Sequence, residues 1–218
     1  AMPMGFRELV DVSMAVNYGL STLKASWSPE MMTGIWKFPT ADVSSPGLRA
    51  EDFEYLYLTA LAFGLKGMNF YMLVNRENWE SAPLDERGQL TETAPAVQKV
   101  LELFRRVPDF TTLRKAQQVA IVYYRPHAWE ASAADGQVVE DACCRMAESY
   151  ARFEALYAAL VRLNWDPAIF DPWINSREHL AKYRMVLVPS GAYMDRSTQQ
   201  LLRDYADNGG TLVFFSEP

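Results

Sequence analysis

The chain has 218 residues, is 50% hydrophobic and 13% aromatic, and carries a formal net charge of -6. That is the composition of a packed globular protein with one large or two small domains. The acidic balance offers no basic footprint for a phosphate backbone or an anionic lipid surface, so neither nucleic acid nor membrane is expected as a partner.

The opening AMPMGFREL has no charged head followed by an apolar core, and no run reaches the roughly 20 apolar residues of a membrane helix. A soluble, cytoplasmic chain is expected. Residues 7–23 place Leu9, Val10, Val12, Met14, Val16 and Leu20 at helical spacing, and KASWSPE then reads as a short strand running into Pro29, with Glu30 at its C-terminal end. A Pro- and Gly-containing loop, KFPTADVSSPG, leads to a second helix, LRAEDFEYLYLTALAFG, with acidic residues in its first turn and Gly64 at its end. KGMNFYMLV is aromatic and β-favouring, NRENWESAPLDERGQLTE is a loop, and APAVQKVLELFRRV is a helix that closes the region near Val107. This order is that of repeated βα units around a parallel sheet.

After PDFTTLRKA the pattern restarts, and a domain boundary is expected near Thr112, giving regions 1–112 and 113–218. QQVAIVYY reads as a buried strand and EDACCRMAESYARFEALYAALVRL as a long amphipathic helix burying Ala147, Tyr150, Phe153, Leu156, Tyr157 and Leu160. DPAIFD and YRMVLVPS are further strands. Asp195 is placed to cap RSTQQLLRDYAD, Asn208-Gly209-Gly210 ends that helix, and TLVFF is a fourth strand. The second region is thus an α/β, doubly wound sheet of the flavodoxin-like kind.

Glu30 is the residue that asks for chemistry. It stands between Trp27 and Trp36 and among Pro29, Met31 and Met32, with Thr33-Gly34 behind it. A carboxylate at the C-terminal end of a parallel strand is where βα barrels carry catalytic groups, and flanking indoles offer flat faces to a sugar ring. Composition and spacing leave the alternative open: an exposed strand end beside tryptophans that belong to the core.

SWSPEMMTGIW, followed by DFEYLYLTALAFGLKGMNFYMLV, resembles the last quarter of the catalytic (β/α)8 barrel of β-galactosidase-type glycoside hydrolases of families 35 and 42. The resemblance implies that Glu30 is the nucleophile ending strand seven, and that Gly64, Lys66 and Gly67 introduce strand eight. YRMVLVPSGAYMDRSTQQLLRDYADNGGTLVFF is similar to the flavodoxin-like trimerisation domain that follows the family 42 barrel, which implies a homo-oligomer, a trimer in the full-length enzyme. A retaining glycosidase needs a second carboxylate as acid/base. In the family it ends strand four as an Asn-Glu pair, and no Asn-Glu dipeptide occurs here. A full barrel takes about 250 residues, so the first 112 hold about three of its eight units. The chain is expected to be a fragment, inactive by itself, whose acid/base lies outside it.

On the same resemblance, Asn69, Tyr71, Asn75, Arg76 and Trp79 are candidates to bind a terminal β-galactoside or a related sugar, together with Trp27 and Trp36. The family often shows GGTN where this chain has VNRENW, which leaves a glucosaminidase or another exo-acting specificity open; Arg76 and Glu77 can equally be a surface pair. His127 and His179 have no ligand-spaced partners, so no metal is expected. Ser190 lacks a G-x-S-x-G elbow and reads as a cap, and no glycine-rich phosphate cradle follows a strand, so no cofactor is expected. Cys143 and Cys144, adjacent on a helix, read as small core residues. The competing function is a non-catalytic interaction module, with a nucleotide- or flavin-binding flavodoxin-like domain behind it.

Overall fold

The computed structural model describes residues 5–23, 25–36, 48–127, 129, 148–190 and 193–215. It forms two compact units, one of residues 1–20 and 24–115, the other of residues 21–23 and 116–218.

In the first unit, helix α1 (Phe6–Thr22) is followed by strand β1 (Trp27–Met32), the two-residue β2 (Ile35–Trp36), α2 (Ala50–Ala62), β3 (Gly67–Tyr71), β4 (Trp79–Glu80) and α3 (Ala94–Arg106). β1 and β3 pair in parallel, β2 and β4 antiparallel. Apolar side chains of α2 (Phe53, Tyr57, Ala60, Leu61) bury themselves against Val16 of α1, Met31 of β1, and Ala96 and Val100 of α3, with Met68 and Phe70 of β3 packed alongside. The helical face of the two parallel strands is thereby defined by Met31, Met68 and Phe70.

The Gly64-Leu65-Lys66-Gly67 stretch has three local jobs. Gly64, at φ +107°, turns the chain out of α2 so that the Leu65 N–H reaches the Ala60 carbonyl at 2.9 Å. The Lys66 ammonium donates to the Leu113 carbonyl at 2.7 Å and lies 5.6 Å from the centre of the Phe110 ring, tying residues 110–113 to the start of β3. Gly67 lies under the Trp27 indole, whose Cζ3 would be 2.1 Å from an added Cβ.

The sequence reading ends β1 at Glu30 and leaves residues 75–92 as loop. The structure corrects both. β1 runs on to Met32, with an irregularity in its pairing between Ser28 and Met31, because Pro29 interrupts the ladder without ending the strand. β4 lies within the supposed loop and draws Trp36 into a ribbon, Trp36 opposite Trp79.

The second unit holds β5 (Val119–Val122), α4 (Glu148–Arg162), β6 (Ala168–Phe170), the short α5 (Arg177–Leu180), β7 (Met185–Pro189), α6 (Arg196–Asp207) and β8 (Thr211–Phe215). The strands are all parallel in the order β6-β5-β7-β8, the doubly wound arrangement. β5 and β6 are buried at every residue, as strands covered on both faces must be. Of the helix expected over residues 140–163, α4 is described: Phe153 and Tyr157 are buried, whereas Leu156 and Leu160 are only half-buried. Cys143, Cys144 and Ala147 lie outside the described residues, as does the Tyr150 side chain.

Asp195 caps α6 as expected. Its carboxylate accepts from the Thr198 N–H at 2.8 Å, from the Thr198 hydroxyl at 2.7 Å and from the Ser197 hydroxyl. Burial pushes this carboxyl up, but the hydrogen bonds from Ser197, Thr198 and Tyr124 outweigh it and hold it well below the usual carboxylate range. A folded pKa below the unfolded one means that the stabilisation is present above about pH 3.9, the ordinary aspartate value, and is lost as pH falls through the folded value. Asp195→Ala should cost about 0.5–2 kcal/mol at neutral pH, and the gap between variant and parent, read by thermal unfolding, should narrow in acid.

Candidate active site at the strand ends

Pro29 has no N–H to give to the ladder, and strands tolerate that at a bulge. Ser28 pairs with Met68 and Met31 with Phe70, so three steps along β1 match two along β3. One extra residue is accommodated at Pro29-Glu30. Since Met31 returns to the helical face, Glu30 and Met32 turn to the opposite face, which Asn69 and Tyr71 of β3 share. Glu30 is exposed there, and Asn69 Nδ2 donates to the Pro29 carbonyl at 3.2 Å. The half-exposed Trp27 indole lies over Gly67 on this same face.

Thr33 and Gly34 lock the ends of the two strands together. The Thr33 side chain is buried, and its hydroxyl contacts the carbonyls of Tyr71 at 2.9 Å and Met72 at 2.8 Å. Gly34 is covered by the Trp79 indole, whose Nε1–H donates to the Met72 carbonyl at 2.9 Å. Met72 takes φ 60°, a conformation uncommon for its type, and two donors, the Thr33 hydroxyl and the Trp79 indole N–H, reach the strand-end carbonyls around it. From the α2 side, the Tyr57 hydroxyl donates to the Met32 carbonyl at 3.0 Å.

The other candidates separate. Trp36 is 49% exposed and packs edge-on against Trp79 at 5.5 Å; Tyr71 meets Trp79 edge-on at 5.8 Å. Trp79 itself is 1% exposed. Within this chain it is a prop between Trp36 and Tyr71, not an open face for a ring. Asn75 accepts the Ala82 N–H at 2.8 Å through its side chain and so shapes the loop. Arg76 is exposed, its guanidinium 3.4 Å from the Met72 sulfur. Sequence reasoning passed over Thr33, Gly34 and Met72; the Thr-Gly pair was visible only as a turn signal.

In the second unit, ligands of open α/β sheets bind where the strand order reverses, here at the C-terminal ends of β5 and β7. The rings of Tyr124, His127 and Tyr193 meet there edge to face, with Tyr124 and His127 centroids 4.8 Å apart. His127 Nε2 lies 2.9 Å from the Tyr193 carbonyl, and the Tyr193 hydroxyl donates to the Pro126 carbonyl at 3.2 Å. Ser190, read from the sequence as a helix or loop cap, does not cap α6, whose cap is Asp195; its hydroxyl donates to the Phe215 carbonyl at 3.1 Å, joining the ends of β7 and β8. Among the described residues no group of three or more His, Cys, Asp and Glu side chains is placed to hold a metal, and no helix is long and apolar enough to cross a membrane.

Residues 139–218 match the family model described as GLMA-like, second domain. A β-1,2-glucosyltransferase of Ignavibacterium album is 24% identical over 76% of this chain and 26% of its own length. An exo-β-D-glucosaminidase of Pyrococcus horikoshii is 24% identical over 83% of this chain and 26% of its own length. The structure of a catalytic mutant of Gan42B, a GH42 β-galactosidase from G. stearothermophilus, superposes with a TM-score of 0.66 at 17% identity, covering 94% of this chain and 29% of that one. The chain therefore spans about a quarter of the length of the curated relatives it matches. Along most of its 218 residues it is similar to β-galactosidase-like glycoside hydrolases, as the closing βα units of a barrel followed by a GLMA-like second domain.

Proposed function

We propose that this chain carries the nucleophile of a retaining, exo-acting glycoside hydrolase that removes terminal β-linked sugars, a β-galactoside or a close relative. The observation that carries this reading is the exposed Glu30 carboxylate on the face of β1 opposite the helices, beside Asn69 and Tyr71. A Glu30 oxygen attacks the anomeric carbon as the bond to the leaving oxygen breaks, and an acid protonates that oxygen. Water, deprotonated by the same acid/base residue, then displaces Glu30 from the sugar. The acid/base is proposed to lie outside these residues. Trp27 and Trp36, half-exposed, supply apolar faces for the ring, while Tyr71 and Arg76 are proposed to meet its hydroxyls.

The test is covalent trapping. In the protein that joins this chain to upstream barrel units, an activated 2-deoxy-2-fluoro-β-galactoside should label the peptide containing Glu30, located by mass spectrometry. A label on another carboxylate would overturn the assignment. The isolated 218 residues should not turn over an aryl β-galactoside, since one carboxylate cannot both attack and protonate. Robust turnover that disappears in Glu30→Gln would place the acid/base inside the chain.

The second unit is proposed to associate with copies of itself through residues 113–218, as a trimer in the full-length, cytoplasmic enzyme. The reading is supported by β8, the outer strand of its sheet, where Phe214 and Phe215 are exposed. Light scattering reads it directly: a monomer at micromolar concentration would remove the assembly role.

A further inference from the structure

We propose that Asn69 is a positioning residue for Glu30, acting through the Pro29 bulge; this rests on Glu30 being the nucleophile. The argument is one of strand parity. Ser28 lies opposite Met68, whose side chain packs toward the helices. With the strict two-residue alternation of a regular strand, Glu30 would fall on that same helical face. It does not, because the extra residue at Pro29-Glu30 reverses the alternation before Met31 returns to the core opposite Phe70. The bulge is therefore what presents the carboxylate to the other face.

Two features hold the bulge. Pro29 cannot donate a ladder hydrogen bond, so regular pairing gains nothing at that position. Asn69 sits between the two paired residues of β3, opposite the bulge, and its Nδ2–H donates to the Pro29 carbonyl at 3.2 Å. A side-chain amide thus replaces a backbone partner at the point where the ladder is interrupted. Downstream, the Thr33 hydroxyl on the Tyr71 and Met72 carbonyls fixes the strand end, so the bulged residues are pinned between two anchored points.

The experiment uses the protein with its upstream barrel units and an aryl β-galactoside. Asn69→Leu keeps the volume and removes the donor. Because a displacement of about 1 Å in a reacting group costs on the order of 100-fold, kcat should fall roughly 10- to 100-fold while KM stays within about twofold. Asn69→Gln, which retains an amide donor, should recover part of kcat. Pro29→Ala restores the ladder N–H and should lower kcat in the same way, which keeps the proposal testable if the Asn69 variants do not fold. Parental kcat in Asn69→Leu or Pro29→Ala, or a loss confined to KM as expected of a sugar-binding Asn69, overturns the positioning role. Glu30→Gln separates the two readings. If it retains the parental rate, the nucleophile assignment fails and this inference with it. An inactive Glu30→Gln beside a fully active Asn69→Leu overturns the positioning role alone.

Discussion

Asp171→Ala should be the most damaging substitution in the second unit, with a loss of about 3–5 kcal/mol. Asp171 follows β6, its side chain is fully buried, and one carboxylate oxygen receives Arg125 Nε from the end of β5 at 2.6 Å. The other oxygen accepts the Trp173 N–H at 3.0 Å and so shapes the turn that leaves the sheet. Removing the carboxylate deprives the guanidinium, 28% exposed, of this partner and leaves the Trp173 N–H without its acceptor. An exposed pair on α3, Arg106 with Glu102 at 2.7 Å, is the control: solvent screens it, and Glu102→Ala should cost about 0.3–0.5 kcal/mol. Urea unfolding of the two variants measures the contrast. Equal midpoints would mean that the Asp171 pair contributes no more than a surface one.

Gly34→Ala should disrupt the strand-end clamp, whereas Gly67→Ala should be tolerated, although the distances alone rank them the other way. A Cβ on Gly34 would lie 2.5 Å from Trp79 Nε1 and 2.6 Å from the Glu80 carbonyl oxygen. Neither can retreat: Trp79 is 1% exposed, its indole N–H is committed to the Met72 carbonyl, and Glu80 is held in the β2–β4 pairing. Overpacking of this kind costs about 1–3 kcal/mol, and a lost Trp79 hydrogen bond would add about 1 kcal/mol. A Cβ on Gly67 would lie closer still, 2.1 Å from the Trp27 ring. Trp27 is 55% exposed, so it can swing toward solvent and the cost should stay below about 1 kcal/mol. Thermal unfolding of the two alanine variants should therefore place Gly34→Ala well below Gly67→Ala, and the reverse order would show that the indole of Trp27, not that of Trp79, is the fixed one.

The contrast between these two glycines illustrates what is legible in a sequence. Both stand in stretches that read correctly as a turn and as a strand start. Which ring covers each, and whether that ring can move, depends on a tryptophan 45 residues from Gly34 and another 40 residues from Gly67 in the chain, and no local pattern encodes that.

The same division runs through the whole protein. Strands β5 to β8, helices α2, α3 and α6, the Asp195 cap and the Gly64 turn follow from hydrophobic periodicity and turn chemistry, which act over a few residues, and all of them were readable from the sequence. So was the prominence of Glu30, an acidic residue in apolar company at a strand. The face that Glu30 occupies was decided only by tertiary structure, because one bulged residue inverts the alternation on which any sequence reading depends. The fates of Trp79, buried, and Trp27, half-exposed, were likewise settled by packing: both are tryptophans beside polar neighbours, and only the ribbon between β2 and β4 distinguishes them.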